Sequence, residues 1–173
     1  TVSGDVMNIK KVSVDKEGTG MGWGAVYAQY LESMDQISGQ GNGLSVSRQL
    51  YKGDEALNES APLKVGDKIT VRLTVKADRD MDFVQIKDDR AACMEPLQAV
   101  SGFRWSNGLG YYQATKDAST QFFIDQMRKG TYVIEYQVYV NRTGEYQAGI
   151  ATVQSAYAPE FGGHTGGYRV MVE

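Results

Sequence analysis

The sequence predicts an all-β fold, with two antiparallel sheets packed face to face. Three observations carry that expectation. "KITVRLTVK", residues 68–76, alternates Ile69, Val71, Leu73 and Val75 with polar neighbours, and "GTYVIEYQVYV", residues 130–140, repeats the pattern. Eleven tyrosines and twenty glycines stand against three prolines, a balance that suits pleated half-buried strands joined by turns. Short apolar runs recur between turn signals, and each one-faced sheet must bury its apolar side against another layer.

Taken in chain order, Val6–Val14 reads as a first strand. The stretch "GWGAVYAQYLESMDQI" over 22–36 fits two periods at once. Trp23, Val26, Tyr27, Tyr30, Leu31 and Met34 fall at helical spacing, while Trp23, Ala25 and Tyr27 also suit a strand face. The glycines at 20, 22 and 24 and the dense tyrosines favour a strand. Leu44–Tyr51 follows as a strand between loops at Ser38–Gly43 and Gly53–Val65. "PLKVGD" supplies the turn that starts the strand at Lys68. Phe83–Lys87 is next, then a long loop region from Arg90 to Lys116, then Gln121–Asp125. Tyr132–Val140 and Tyr146–Ser155, joined by "NRTGE", read as a hairpin. Tyr168–Val172 closes a set of about nine strands. No repeat or proline-rich linker divides the chain, so residues 1–173 are expected to form one domain. The chain starts at Thr1 without a methionine, which points to a piece of a longer protein.

Composition excludes several functions. A net charge of −3 and a pI near 5.3 provide no basic field for nucleic acid. No apolar run approaches the roughly 20 residues of a membrane span. Cys93 is the only cysteine, so no internal disulfide forms. Cys93 and His164, the only histidine, are the one cysteine–histidine pair on offer for nucleophilic chemistry, and nothing in the sequence brings them together. No Gly-x-Ser-x-Gly elbow occurs. Asp78, Asp80 and Asp82 of "DRDMD" have the spacing of a calcium loop, but Phe83 stands where that loop needs glycine and Asp89 where it needs a bidentate glutamate. No catalytic, metal or cofactor site is therefore expected, and the reading is a non-enzyme.

Three segments carry a resemblance: "GWGAVYAQYLESMDQI", "PLKVGDKITVRLTVKADRDMDFVQIKDDRAACMEP" and "KGTYVIEYQVYVNRTGEYQAGIATVQSAYAPEFGGHTGG". Together they resemble the C-terminal domain of bacterial alpha-2-macroglobulin-like proteins, from about Gly22 to the end. The resemblance implies an immunoglobulin-like, macroglobulin-type β-sandwich ending a large multi-domain protease trap in the periplasm or on the cell surface. Its implied partners are the other domains of the same polypeptide, a thioester-type helical domain and neighbouring macroglobulin domains, and indirectly target proteases. A thioester does not belong to this chain, because "CMEP" places Pro96 where the reactive glutamine of Cys-x-Glu-Gln would stand. In thioester-bearing members a tyrosine on a C-terminal loop, usually preceded by methionine, covers the bond. Tyr157 of "AYAPEF" matches that tyrosine, although Ala156 precedes it and thins the apolar cover.

Two groups of residues follow as candidates. Tyr157, Pro159 and Phe161 form an expected domain-docking loop, where a tyrosine excludes water at small entropy cost and the proline stiffens the chain. Packing within the sandwich's own core is the competing use of the same aromatics. Phe103, Trp105, Tyr111 and Tyr112 of "SGFRWSNGLGYYQ" form an aromatic contact surface on a long loop or hairpin. That surface opens an alternative reading, a carbohydrate-binding or adhesive module of a cell-surface protein.

Overall fold

The computed structural model describes residues 15–23, 33, 37–58 and 61–173. The expected strand at Val6–Val14 and most of 22–36 lie outside the described residues. The chain divides into two compact units, Thr1–Glu32 and Ser33–Glu173. In the first, residues 15–23 are irregular.

The second unit is all strand and turn among its described residues, an immunoglobulin-like β-sandwich as expected. Its elements are β1 (Gln40–Asn42), β2 (Leu44–Lys52), β3 (Glu55–Ala56), β4 (Lys68–Ala77), β5 (Met81–Asp89), β6 (Met94–Pro96) and β7 (Gly102–Ser106). They continue as β8 (Leu109–Thr115), β9 (Ser119–Met127), β10 (Gly130–Val140), β11 (Gly144–Ala148), β12 (Ala151–Ser155), β13 (Gly162–His164) and β14 (Tyr168–Val172). One layer runs β6-β10-β4-β2, with β3 on β2; the other runs β13-β12-β5-β9-β8-β7. β1 pairs with both β2 and β13 and so joins the two layers. The chain reverses between β1 and β2 at Gly43, whose φ of 70° suits glycine and whose missing side chain leaves room for Phe161.

Alternation dictates which side chains meet. Ile69, Val71, Leu73 and Val75 of β4 and Ile134, Val138 and Val140 of β10 face inward, where they join the same buried cluster as Val84 and Ile86 of β5 and Phe122 and Ile124 of β9. Each such side chain contributes about 1.5–3 kcal/mol of burial. Phe122 meets Tyr136 of the opposite layer with ring centroids 5.9 Å apart.

A buried polar cluster also ties the layers. Asp88 of β5 is 1 % exposed and pairs with the Arg48 guanidinium of β2. The Tyr136 hydroxyl of β10 donates to the second oxygen of Asp88 at 2.8 Å, and Arg48 Nη2 donates to the Gly149 carbonyl at 2.6 Å. Arg48 also stacks on the Tyr168 ring, 4.4 Å from its centroid. Burial pushes the Asp88 carboxyl above the usual carboxylate range, and Arg48 and Tyr136 pull against it.

Four expectations need correction. The run 146–155 is not a hairpin partner of β10, which pairs with β4 and β6. It breaks at Gly149 and Ile150 into β11, paired with β14, and β12, paired with β5 and β13. The reason is visible in the phase: Ala148 is buried on one side of the break and Ala151, Val153 and Ser155 on the other, so the inward positions switch from even to odd. The region 90–116 holds β6, β7 and β8, Ser38–Gly43 holds β1 and Gly53–Val65 holds β3, so the strands exceed the expected nine.

Candidate docking edge and aromatic face

The loop 156–161 joins β12 to β13 and is pinned along its length. Ser155 N donates to the Phe161 carbonyl at 3.0 Å, Ala156 N to the Phe83 carbonyl at 2.9 Å and Phe161 N to the Ala158 carbonyl at 2.9 Å. The Gln154 amide donates to the Pro159 carbonyl at 3.2 Å and the Asn42 amide to the Glu160 carbonyl at 2.8 Å. A chain so held cannot collapse onto its own core without losing these bonds.

The three loop residues of the sequence reading have different surroundings. Phe161 is half-buried, packs on the core cluster and lies under the Arg79 guanidinium, 4.6 Å away. Pro159 is exposed at the turn. Tyr157 is 78 % exposed and touches Phe83 edge to face, with centroids 5.0 Å apart and planes at 86°. The sequence reading names Phe83 as a strand start and as the residue that spoils a calcium loop, not as part of a contact surface. Its φ of 54° is rare for a bulky residue, and it steps out of the β5–β9 ladder while the pairs on either side keep register. The signal was there in the pattern: with Val84 and Ile86 inward, the phenylalanine at 83 has no place in the core.

The second aromatic group is a true hairpin. Asn107 and Gly108, with φ of 49° and 78°, make the two-residue turn between β7 and β8. Phe103 and Trp105 are 83 % and 76 % exposed. Phe103 pairs with Tyr112 in register and meets its ring at 5.1 Å. Tyr111 is a correction to the expected surface. It is 5 % exposed and faces inward, 5.7 Å from Phe122, because neighbours on a strand point to opposite faces and Tyr112 takes the outer one. Phe123, not expected, completes the outer row opposite Tyr112, since its neighbour Phe122 fills the core.

That row runs on through Gln85 and Gln154. Both aromatic groups thus belong to the second sheet, with a polar belt of Gln85, Gln154 and Asp125 between them.

The candidates for chemistry are scattered. Cys93 is fully buried beside β6, burial pushes its thiol up, and its carbonyl accepts from Asn141 N at 2.9 Å. His164 lies on β13 in the other layer, with Nδ1 3.1 Å from the Thr165 carbonyl. Asp78 pairs with Arg79, and Asp80 accepts from Lys129 N at 2.7 Å. Among the described residues no three His, Cys, Asp or Glu side chains gather as a metal site, and no helix is long and apolar enough to cross a membrane.

Residues 43–160 match the family model described as the bacterial alpha-2-macroglobulin MG10 domain. The chain belongs to that family. The MG10 match spans β2 to Glu160, so the aromatic hairpin and the pinned loop as far as Glu160 fall within it, while Phe161 lies just beyond. Solved structures share the fold. A mutant of Salmonella alpha-2-macroglobulin is 20 % identical, with a TM-score of 0.65 over 78 % of this chain and 10 % of its own. Escherichia coli alpha-2-macroglobulin activated by porcine elastase is 16 % identical, with a TM-score of 0.68 over 79 % of this chain and 14 % of its own. A curated relative, "Circularly permutated Ras protein 2" of Dictyostelium discoideum, is 27 % identical over 166 residues, which is 92 % of this chain and 4 % of that protein. The MG10 chain therefore spans a small fraction of the length of these three proteins.

Proposed function

We propose that this MG10 domain is a non-catalytic docking module within a longer alpha-2-macroglobulin-like, protease-trapping polypeptide. In this reading residues 1–173 form one domain of that polypeptide, and the Tyr157 edge packs on a helical domain of the thioester type. Neighbouring macroglobulin domains flank it, target proteases are met indirectly, and the whole works in the periplasm or at the cell surface. The observation that carries the reading is Tyr157: a large aromatic 78 % exposed on a loop held by five hydrogen bonds and backed by an out-of-ladder Phe83. A side chain kept rigid and wet in isolation is preorganised for a partner, because little freedom is left to lose on contact. The elastase-activated Escherichia coli relative of the same fold supports the protease connection.

The test compares Tyr157→Ala in two contexts by scanning calorimetry. In this chain alone the exposed side chain should matter little, within about 0.5 kcal/mol. In the longer polypeptide the same change should lower the transition of the docked region by several degrees. Equal indifference in both contexts would remove the docking role.

A further inference from the structure

A concave groove of about 960 Å³ opens at the β7–β8 hairpin, walled by residues of both hairpin strands and reaching Tyr132 of β10. Neither Phe83 nor Tyr157 lines it, so it is separate from the docking edge. Phe103, Trp105 and Phe123 supply apolar surface, and Asp125, Gln126 and Arg128 stand around them.

Two features narrow what fits there. The first is the posture of Trp105. The six-membered ring of its indole lies over Gly110, where an added β-carbon would sit 2.8 and 2.9 Å from Cζ3 and Cε3. Only hydrogen leaves room for the ring to lie down on the sheet, and with the residue 76 % exposed its opposite face is open to solvent. A flat, fixed, outward aromatic face matches the apolar C–H face of a pyranose ring.

The second feature is the rim. Among the described residues, the side chains of Asp125, Gln126 and Arg128 make no hydrogen bond or ion pair, although the Arg128 carbonyl accepts from the Tyr132 hydroxyl at 3.0 Å. These are planar groups with two adjacent polar atoms, suited to neighbouring hydroxyls. An apolar protein surface pressed into the groove would strip water from Asp125 and Arg128 without pairing them, a cost of several kcal/mol. A sugar keeps them hydrogen-bonded, directly or through water. Arg104 also lines the groove but is engaged, its Nε donating to Gln113 Oε1 at 3.0 Å, so the unpaired rim groups carry one charge of each sign and favour an uncharged ligand.

We propose that this groove binds a neutral pyranose glycan, stacking its rings on Trp105 and Phe103 and bonding its hydroxyls to Asp125, Gln126 and Arg128. The site does not depend on the docking role of Tyr157.

The sequence holds two tryptophans, so the test uses the full chain carrying Trp23→Phe, which leaves Trp105 as the reporter. Laminarin, soluble xylan, mannan and cellohexaose are titrated against its fluorescence, and the polysaccharides are cast in native gels to read retardation. At least one should shift the emission and retard the chain. Trp105→Ala, read by retardation in an otherwise wild-type chain, should abolish the effect while circular dichroism stays unchanged. Gly110→Val, which lifts the ring, should weaken binding at least tenfold, and Tyr157→Ala should leave it intact. No response to any of the four glycans would overturn the proposal, as would retardation that survives Trp105→Ala. Self-association of the chain that Trp105→Ala relieves, without glycan binding, would make the groove a protein contact instead.

Discussion

Arg48 and Asp88 show how single residues decide whether the two layers stay together. Their pair sits between β2 and β5 with the Tyr136 hydroxyl and the Gly149 carbonyl completing the bonds. Arg48→Ala should destabilise the domain by about 3–5 kcal/mol, because it strands a buried carboxylate. Replacing both partners, Arg48→Met with Asp88→Leu, should cost far less, and urea midpoints of the two variants check the difference. Tyr168 gives a pH dependence. Burial pushes its phenol up to about 12, against an ordinary value near 10, and Tyr136 is raised well above its usual value for the same first reason. The folded state therefore holds these protons more tightly than the unfolded chain. Their contribution is complete below pH about 10 and is lost as the pH rises towards 12. Urea midpoints should fall across that window, and Tyr168→Phe, which keeps the ring over Arg48 but removes its proton, should make the fall shallower. At this scale the sequence was partly legible. Tyr157 was legible through the family resemblance of "AYAPEF", with core packing as its competing use, whereas Phe83 and Phe123 were hidden because an outward phenylalanine beside an inward hydrophobe reads as a continuous core run.

Elements were legible where one strand has one dry face. β4, expected at 68–76, runs Lys68–Ala77, and β14 begins and ends where expected, at Tyr168 and Val172. Pairing was not legible, because a period of two fixes which face is buried and says nothing about the neighbour across the ladder. Hence β10 looked ready to pair with the run that follows it, while its real partners are β4 and β6. Short strands escaped for a different reason: β1, β6 and β13 have three residues each, fewer than a period needs to declare itself. The β7–β8 hairpin lies within what the sequence reads only as a long loop or hairpin, although its turn is the Asn107-Gly108 pair, whose positive φ angles a type I′ turn requires. Gly108 has a φ of 78°, so Gly108→Ala should cost about 1 kcal/mol through strain that alanine cannot relieve. A urea midpoint lowered accordingly, with the amide spectrum disturbed only around 102–115, is the expected outcome.

For the molecule as a whole, the sandwich buries its inner faces and leaves one outer face studded with aromatics, a distribution that an isolated soluble domain does not need. The MG10 family match accounts for the fold, and under the proposed docking role the outer contacts would be made in a longer polypeptide. The most direct measurement is hydroxyl-radical footprinting of that longer polypeptide beside this chain alone, with exposed Met171 of β14 as the internal standard. If the Tyr157 edge is a docking surface, Tyr157 and Phe83 oxidise several-fold more slowly in the longer polypeptide than in the chain alone. Equal rates in the two would mean that the edge faces water in both, and the docking account would fall.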